Sequence, residues 1–218
     1  MQITIREPGS AFTHLIAMIL ALIASTPLLI RASGSLNHTV MIAMTIFILS
    51  MICLYGASAL YHSVNVSGKV LKVFRKVDHM MIFVLIAGSY TPVCMIVIGG
   101  KLGYTLLAVV WSIAIGGMLV KACWITCPKW FSSIIYIAMG WTCVFVFGRL
   151  LHTLSLAAFL WLLTGGIIYT IGGVIYALKL PIFNARHANF GSHEVFHLFV
   201  MGGSFCHFIF MYCFVLRM

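Results

Sequence analysis

Acidic residues are nearly missing from this chain. Among 218 residues only three are Asp or Glu, against 13 Lys and Arg, and charged residues of both signs make up 7%. A soluble domain of this length needs a charged, hydrated surface, so composition excludes a soluble enzyme or binding module. No stretch is long and polar enough to form a separate soluble domain, and no internal repeat stands out. The pairs Gly165-Gly166 and Gly172-Gly173 are read as small-residue positions where helices approach closely. A cleavable leader is also not expected, because Glu7 and Pro8 precede an apolar run of full spanning length. The cysteine count is odd, at seven, which argues for free thiols rather than a disulfide framework. Cys123 and Cys127 have an i,i+4 spacing that suits a metal, but small apolar packing in a reducing compartment explains them more simply.

What the chain has in abundance is hydrophobic surface, 63% of residues with a mean hydropathy of +1.14. Seven apolar runs fall at 12–30, 39–61, 80–98, 104–120, 131–147, 154–178 and 195–216, each near the roughly 20 residues that cross a bilayer as a helix. The punctuation between them, Arg31-Ala32-Ser33-Gly34-Ser35, Gly99-Gly100-Lys101, Cys127-Pro128-Lys129 and Pro181-Ile182-Phe183-Asn184, consists of turn and helix-stop residues. The reading is an all-α membrane protein: a short N-terminal segment, residues 1–11, and one seven-helix domain, residues 12–218.

Orientation follows from the distribution of Lys and Arg, which cytoplasmic loops retain. With the N-terminus inside, the inner side collects Arg6, Lys69, Lys72, Arg75, Lys76, Lys121, Lys129, Lys179 and Arg186, and the outer side holds Arg31, Lys101, Arg149 and Arg217. The expected topology is N-terminus cytoplasmic and C-terminus outside, in a cell membrane crossed many times. The net charge of +10 is scattered over membrane-edge loops, which suits anionic lipid headgroups and excludes the continuous basic face that nucleic acid needs.

Against this apolar background three polar stretches stand out: Ser58-Ala59-Leu60-Tyr61-His62, Asp78-His79, and His193-Glu194-Val195-Phe196-His197. His62 is expected to end helix 2, Asp78 to open helix 3, and His193 and His197 to open helix 7, all at one depth on the inner side. His193 and His197 are i and i+4, so their rings share a helix face. A third imidazole from His62 completes the ligand count of a catalytic zinc site with one position left for water. An ionisable residue such as Asp78 inside a membrane segment points to function, and its expected partner is that water. Ser58 lies one turn before His62. Taken singly, His14, His79 and His207 read as hydrogen-bonded interhelical polar contacts.

On these residues the chain resembles the hemolysin III family, the bacterial branch of the superfamily that includes the progestin and adipoQ receptors and, more distantly, the alkaline ceramidases. The resemblance is carried by Ser58-x-x-x-His62, by Asp78-His79 with Ile86-Ala87-Gly88-Ser89-Tyr90-Thr91-Pro92, and by His193-x-x-x-His197 leading into Gly202-Gly203-Ser204-Phe205-Cys206-His207. It implies seven helices with the N-terminus inside and a zinc near the inner leaflet, bound by His62, His193 and His197, with Asp78 holding the zinc-bound water and Ser58 beside it. One departure lies in helix 1: where the bacterial members often read Glu-x-x-Asn before a His, this chain has Glu7-Pro8-Gly9-Ser10 and then His14. The Pro8-Gly9 pair weighs against a helix there and against a supporting role for Glu7.

The function expected from this set is hydrolysis of a lipid amide or ester entering from the inner leaflet. Zinc would acidify water and polarise the carbonyl, Asp78 would take the proton, and Ser58 would stabilise the oxyanion. The alternatives are a receptor or sensor whose zinc is structural, a membrane-permeabilising protein, and, through the HExxH pattern of His193-Glu194-Val195-Phe196-His197, a zinc protease with Glu194 as base.

Overall fold

The computed structural model describes residues 5–178 and 190–218. The turn at 181–184 and the cations Lys179 and Arg186 therefore lie outside the described residues. Every described element is helical, as a lipid environment requires, since a helix satisfies its own backbone hydrogen bonds. Seven segments are long and apolar enough to cross a membrane: Pro8–Ser33 (α1), His38–Ser63 (α2), Gly68–Ile98 (α3 with a π-helical end), Gly100–Cys123 (α4), Lys129–Thr153 (α5 and α6 with a 3-10 stretch between them), Leu156–Leu178 (α7) and Ser192–Arg217 (α8 with a terminal 3-10 turn).

Two helices begin earlier than the hydropathy alone indicates. Pro8 sits in the first turn of α1, where its missing N–H costs nothing and its fixed φ suits the helix. The Pro8-Gly9 pair thus starts the helix instead of breaking it. α3 starts at Gly68 and not near Met80, because Lys69, Lys72, Arg75 and Lys76 are good helix formers that a hydropathy scan discards. Asp78 consequently lies about three turns inside α3 rather than at its opening.

α3 is the central helix. Of its apolar window 67% is buried inside the bundle, against 17–44% for the other spans. It packs between α2 and α4, α1 packs on α2 and α8, and α7 packs on α8 and α5. Close approach depends on small residues: a Cβ on Gly88 of α3 would stand 2.3 Å from Ser50 Oγ of α2, and one on Gly165 of α7 would stand 2.3 Å from the His207 ring of α8. Between α3 and α4 the chain reverses through Gly99 and Gly100, with φ of +62° and +56°, a region that side chains rarely adopt.

The span Lys129–Thr153 is interrupted at Trp141–Val146 for a visible reason. The Tyr90 hydroxyl, from α3, donates to the Gly140 carbonyl at 2.6 Å and accepts from the Cys143 N–H at 2.9 Å. It is spliced into the backbone ladder, and the helix tightens to 3-10 geometry around it. A Tyr90→Phe variant strands the Cys143 N–H and leaves the Gly140 carbonyl only the weak Cys143 thiol donor at 3.7 Å, a cost of about 1–3 kcal/mol. Thermal unfolding in detergent should therefore show a clear loss of stability, and an unchanged midpoint would mean that the break has another cause.

Candidate metal centre

The polar residues gather at one end of the bundle: the start of α1, the end of α2, the cation-rich part of α3, the end of α7 and the start of α8. The i,i+4 spacing of His193 and His197 puts their rings 4.5 Å apart on one face of α8, and His62 of α2 lies across from both, 5.0 and 5.2 Å away by ring centroids. One nitrogen from each of the three imidazoles lies within 4.8 Å of the others, a group able to hold a metal ion. Nε2 of His62 and Nε2 of His193 are 3.3 Å apart.

The outward-facing nitrogens decide the tautomers. His62 Nδ1 donates to Glu7 Oε2, so its Nε2 presents a lone pair toward His193. Thr13 Oγ1 lies 3.2 Å from His197 Nδ1 and spends its own hydrogen on the Gly9 or Ser10 carbonyl, each at 3.0 Å. With its hydrogen on either carbonyl, Thr13 Oγ1 accepts from His197 Nδ1–H, and in that tautomer the Nε2 lone pair of His197 is free as well. Hydrogen bonds of this kind orient metal-ligating histidines and raise their basicity.

Glu7 lies before the first span. The hydrogen bond from His62 holds its carboxyl below the usual range, assisted by the neighbouring positive charge of Arg6 and opposed by partial burial. A carboxyl lowered in the folded state stabilises the fold above its ordinary value of 4.5, and that contribution is lost as the pH falls through the lowered value.

α1 also braces α8. Ser10 donates to Glu194 Oε1 at 2.5 Å, and Glu194 Oε2 accepts the Gly191 N–H at 2.8 Å, capping α8. Both oxygens of Glu194 are thereby engaged.

Asp78 and Ser58 line the same cavity as His193 and His197. Asp78 is 8% exposed, and its Oδ2 lies 3.4 Å from His79 Nδ1. His79 Nδ1 donates to the Arg75 carbonyl at 2.9 Å, and its Nε2 faces the Tyr176 hydroxyl at 3.4 Å. Ser58 Oγ is buried and has no hydrogen-bond partner among the described residues. The cavity measures about 160 Å³, against the roughly 10–15 Å³ that a single water needs on this measure. It runs from these polar groups toward Phe147, Phe159 and Leu162. Tyr55 and Tyr169, the latter on the cavity wall, both hydrogen-bond Ser204 Oγ, at 2.5 and 2.7 Å, tying α2 and α7 to α8.

The sequence reading placed His62, His193 and His197 together, and the structure brings them together. It also puts Asp78 and Ser58 on the cavity that His193 and His197 line. Glu7 proves to support His62 directly, contrary to the expectation drawn from Pro8-Gly9. His14 makes an interhelical contact but not the expected hydrogen bond: its ring stacks on His197 at 3.6 Å with the planes 6° apart, and neither nitrogen has a partner among the described residues. Thr13 was missed altogether. Its signal is the buried stripe of α1, Ser10, His14, Ala17 and Ala21, a small and polar face on an otherwise apolar helix. Of the paired cysteines, Cys127 turns to Lys121 Nζ and Ser132 Oγ, each at 3.2 Å, while Cys123 is exposed; all seven thiols are free.

Seven membrane-length helices with a tri-histidine group at one end of the bundle, two of its rings buried, define a multi-pass membrane protein with a candidate metal centre. Comparison with known proteins gives it a family: the chain belongs to the haemolysin-III related family, whose model matches residues 2–208. It is 38% identical over 198 residues to "Hemolysin-3" of Bacillus cereus, covering 91% of this chain and 86% of that protein. To the "Hemolysin-3 homolog" of Bacillus subtilis (strain 168) it is 36% identical over 215 residues, 96% of each. A more distant similarity, 26% over 219 residues, links it to the "Progestin and adipoQ receptor-like protein 1" of Caenorhabditis elegans, covering 93% of this chain and 50% of that one.

Removing either supporting acceptor should loosen the ligands without deleting one. Glu7→Gln and Thr13→Val are expected to weaken metal affinity by about 10–100-fold, read by competition with a chelator. Unchanged affinity in both would show that these hydrogen bonds do not orient the imidazoles.

Proposed function

We propose that the protein is a zinc-dependent hydrolase of lipid amides or esters, acting at the inner leaflet of the cell membrane. The observation that carries this reading is a group of three convergent imidazoles, two of which, His193 and His197, line a cavity whose polar end also presents a carboxylate and a hydroxyl and whose remainder is apolar. Zinc fits the donor set. His62, His193 and His197 would hold it, since three neutral nitrogen ligands leave a position open, as in catalytic zinc sites. An ion with nitrogen bonds of about 2.05 Å in tetrahedral array sets its ligand atoms about 3.3 Å apart, the separation found between His62 and His193.

Zinc bound there supplies Lewis-acid chemistry, acidifying water and polarising a carbonyl. The protein's own groups do the rest. Glu7 and Thr13 hold the lone pairs of His62 and His197 on target. The Asp78 carboxylate takes the proton from the attacking water, and His79, with its ring fixed by the Arg75 carbonyl, steadies that carboxylate. Ser58 Oγ, buried and unpartnered, donates to the developing oxyanion. The apolar length of the cavity receives the chain of a membrane amphiphile. Arg6, Lys69, Lys72 and Arg75 crowd the same end of the bundle. Their bias supports a cytoplasmic placement of the site, with anionic headgroups around it.

Glu194 serves as a helix cap with both oxygens occupied, which weighs against the protease reading of the HExxH pattern. A second reading has specific support: the worm relative is named a receptor-like protein and a fly relative, 25% identical over 237 residues, an "Adiponectin receptor protein". In that reading the zinc is structural and the output is a conformational change.

Elemental analysis joined to a lipid-amidase assay separates these. Wild type should carry about one zinc per chain, lost in His193→Ala and His62→Ala. Asp78→Asn should keep the metal yet lose turnover by about 10²–10⁴-fold, the usual worth of a positioned acid or base. Zinc without turnover in the wild type would favour the receptor, and no zinc in a folded wild type would sink the hydrolase.

A further inference from the structure

His14 is the histidine at this cavity with both ring nitrogens idle among the described residues. It is 3% exposed, and its ring is clamped between the face of His197 and the edge of Tyr55, whose centroid lies 5.1 Å away at 65°. It lines the cavity beside Ser58 and Asp78, yet neither of its nitrogens has a hydrogen-bond partner among the described residues. Every other histidine at the cavity has a partner on at least one nitrogen: His197 at Thr13, His79 at Arg75 and Tyr176, His207 at the Leu162 carbonyl, 3.3 Å away, and His193 through Nε2, 3.3 Å from His62 Nε2. His14 also stands outside the group of three whose nitrogens converge. Burying an imidazole with both nitrogens idle is costly, and a packing role alone would be served better by Phe.

We infer that His14 reads the polar group beside the carbonyl of the bound amphiphile and selects an uncharged hydroxyl- or amide-bearing head over a carboxylate; this rests on the lipid reading proposed above. A neutral imidazole offers one donor and one acceptor. A hydroxyl or a secondary amide answers both, whereas a carboxylate only accepts and leaves one nitrogen unanswered. The stack on His197 fixes the plane of the ring, so its selectivity is geometric and belongs to the neutral form.

The test uses the full-length protein in detergent, in an Asp78→Asn background so that the probe is not consumed. The probes are an N-acylethanolamine and the fatty acid of the same length, each with the same fluorophore on the acyl chain. His14→Phe should bind the N-acylethanolamine about tenfold more weakly, the effect of one lost buried hydrogen bond, with fatty-acid affinity held within about twofold and zinc content unchanged. His14→Gln, which keeps a donor and an acceptor, should restore most of the difference and gives a second measurement if the Phe variant does not fold. Equal binding of the N-acylethanolamine by all variants, parallel loss of both probes, or loss of zinc in His14→Phe would each overturn the inference while leaving the lipid reading intact. Binding of neither probe by the background protein, with zinc present, would overturn the lipid reading itself and the inference with it.

Discussion

The organising constraint is the cost of placing polar groups inside a membrane bundle, and the chain meets it by gathering its few acidic residues in one place. Its three acids, Glu7, Asp78 and Glu194, all stand at one end of the helices: one holds His62, one faces the cavity and one caps α8 on Ser10. Buried ionisable groups at membrane depth survive only when they are partnered or functional. With no acid elsewhere, this end of the protein is where the proposed chemistry is placed.

α1 makes the site possible although it contributes none of the three convergent nitrogens. One turn and a half of it, Glu7 to Thr13, engages His62 on α2 and both His197 and Glu194 on α8. These contacts set the ring orientations and cap the helix that carries two of the three imidazoles. Tyr55, Ser204 and Tyr169 fasten α2, α7 and α8 a layer below. The site is thus held from outside by a helix that approaches it and from beneath by a buried hydroxyl chain, and small residues allow the backbones close enough for both.

Much of this was legible in the sequence because the periodicities are simple. Seven apolar runs gave seven spans, and an i,i+4 histidine pair with a third histidine at the end of another helix gave the tri-histidine group. The misses have physical causes. Hydropathy discards charged helix formers, so α3 was begun twelve residues late and Asp78 was placed at a helix opening. Pro8 was weighed as a breaker when its position at the first turn makes it a starter. Thr13 and the stacking of His14 on His197 arise from helix-to-helix packing, which spacing along one chain does not encode. Tyr90 splitting another helix's ladder is of the same kind.

Zinc K-edge X-ray absorption on the purified protein tests the centre most directly. The account predicts a first shell of three nitrogens and one further light atom at about 2.0–2.1 Å, with the multiple-scattering signature of imidazole and no sulfur near about 2.3 Å. A thiolate shell, or no zinc edge from a folded protein, would contradict it.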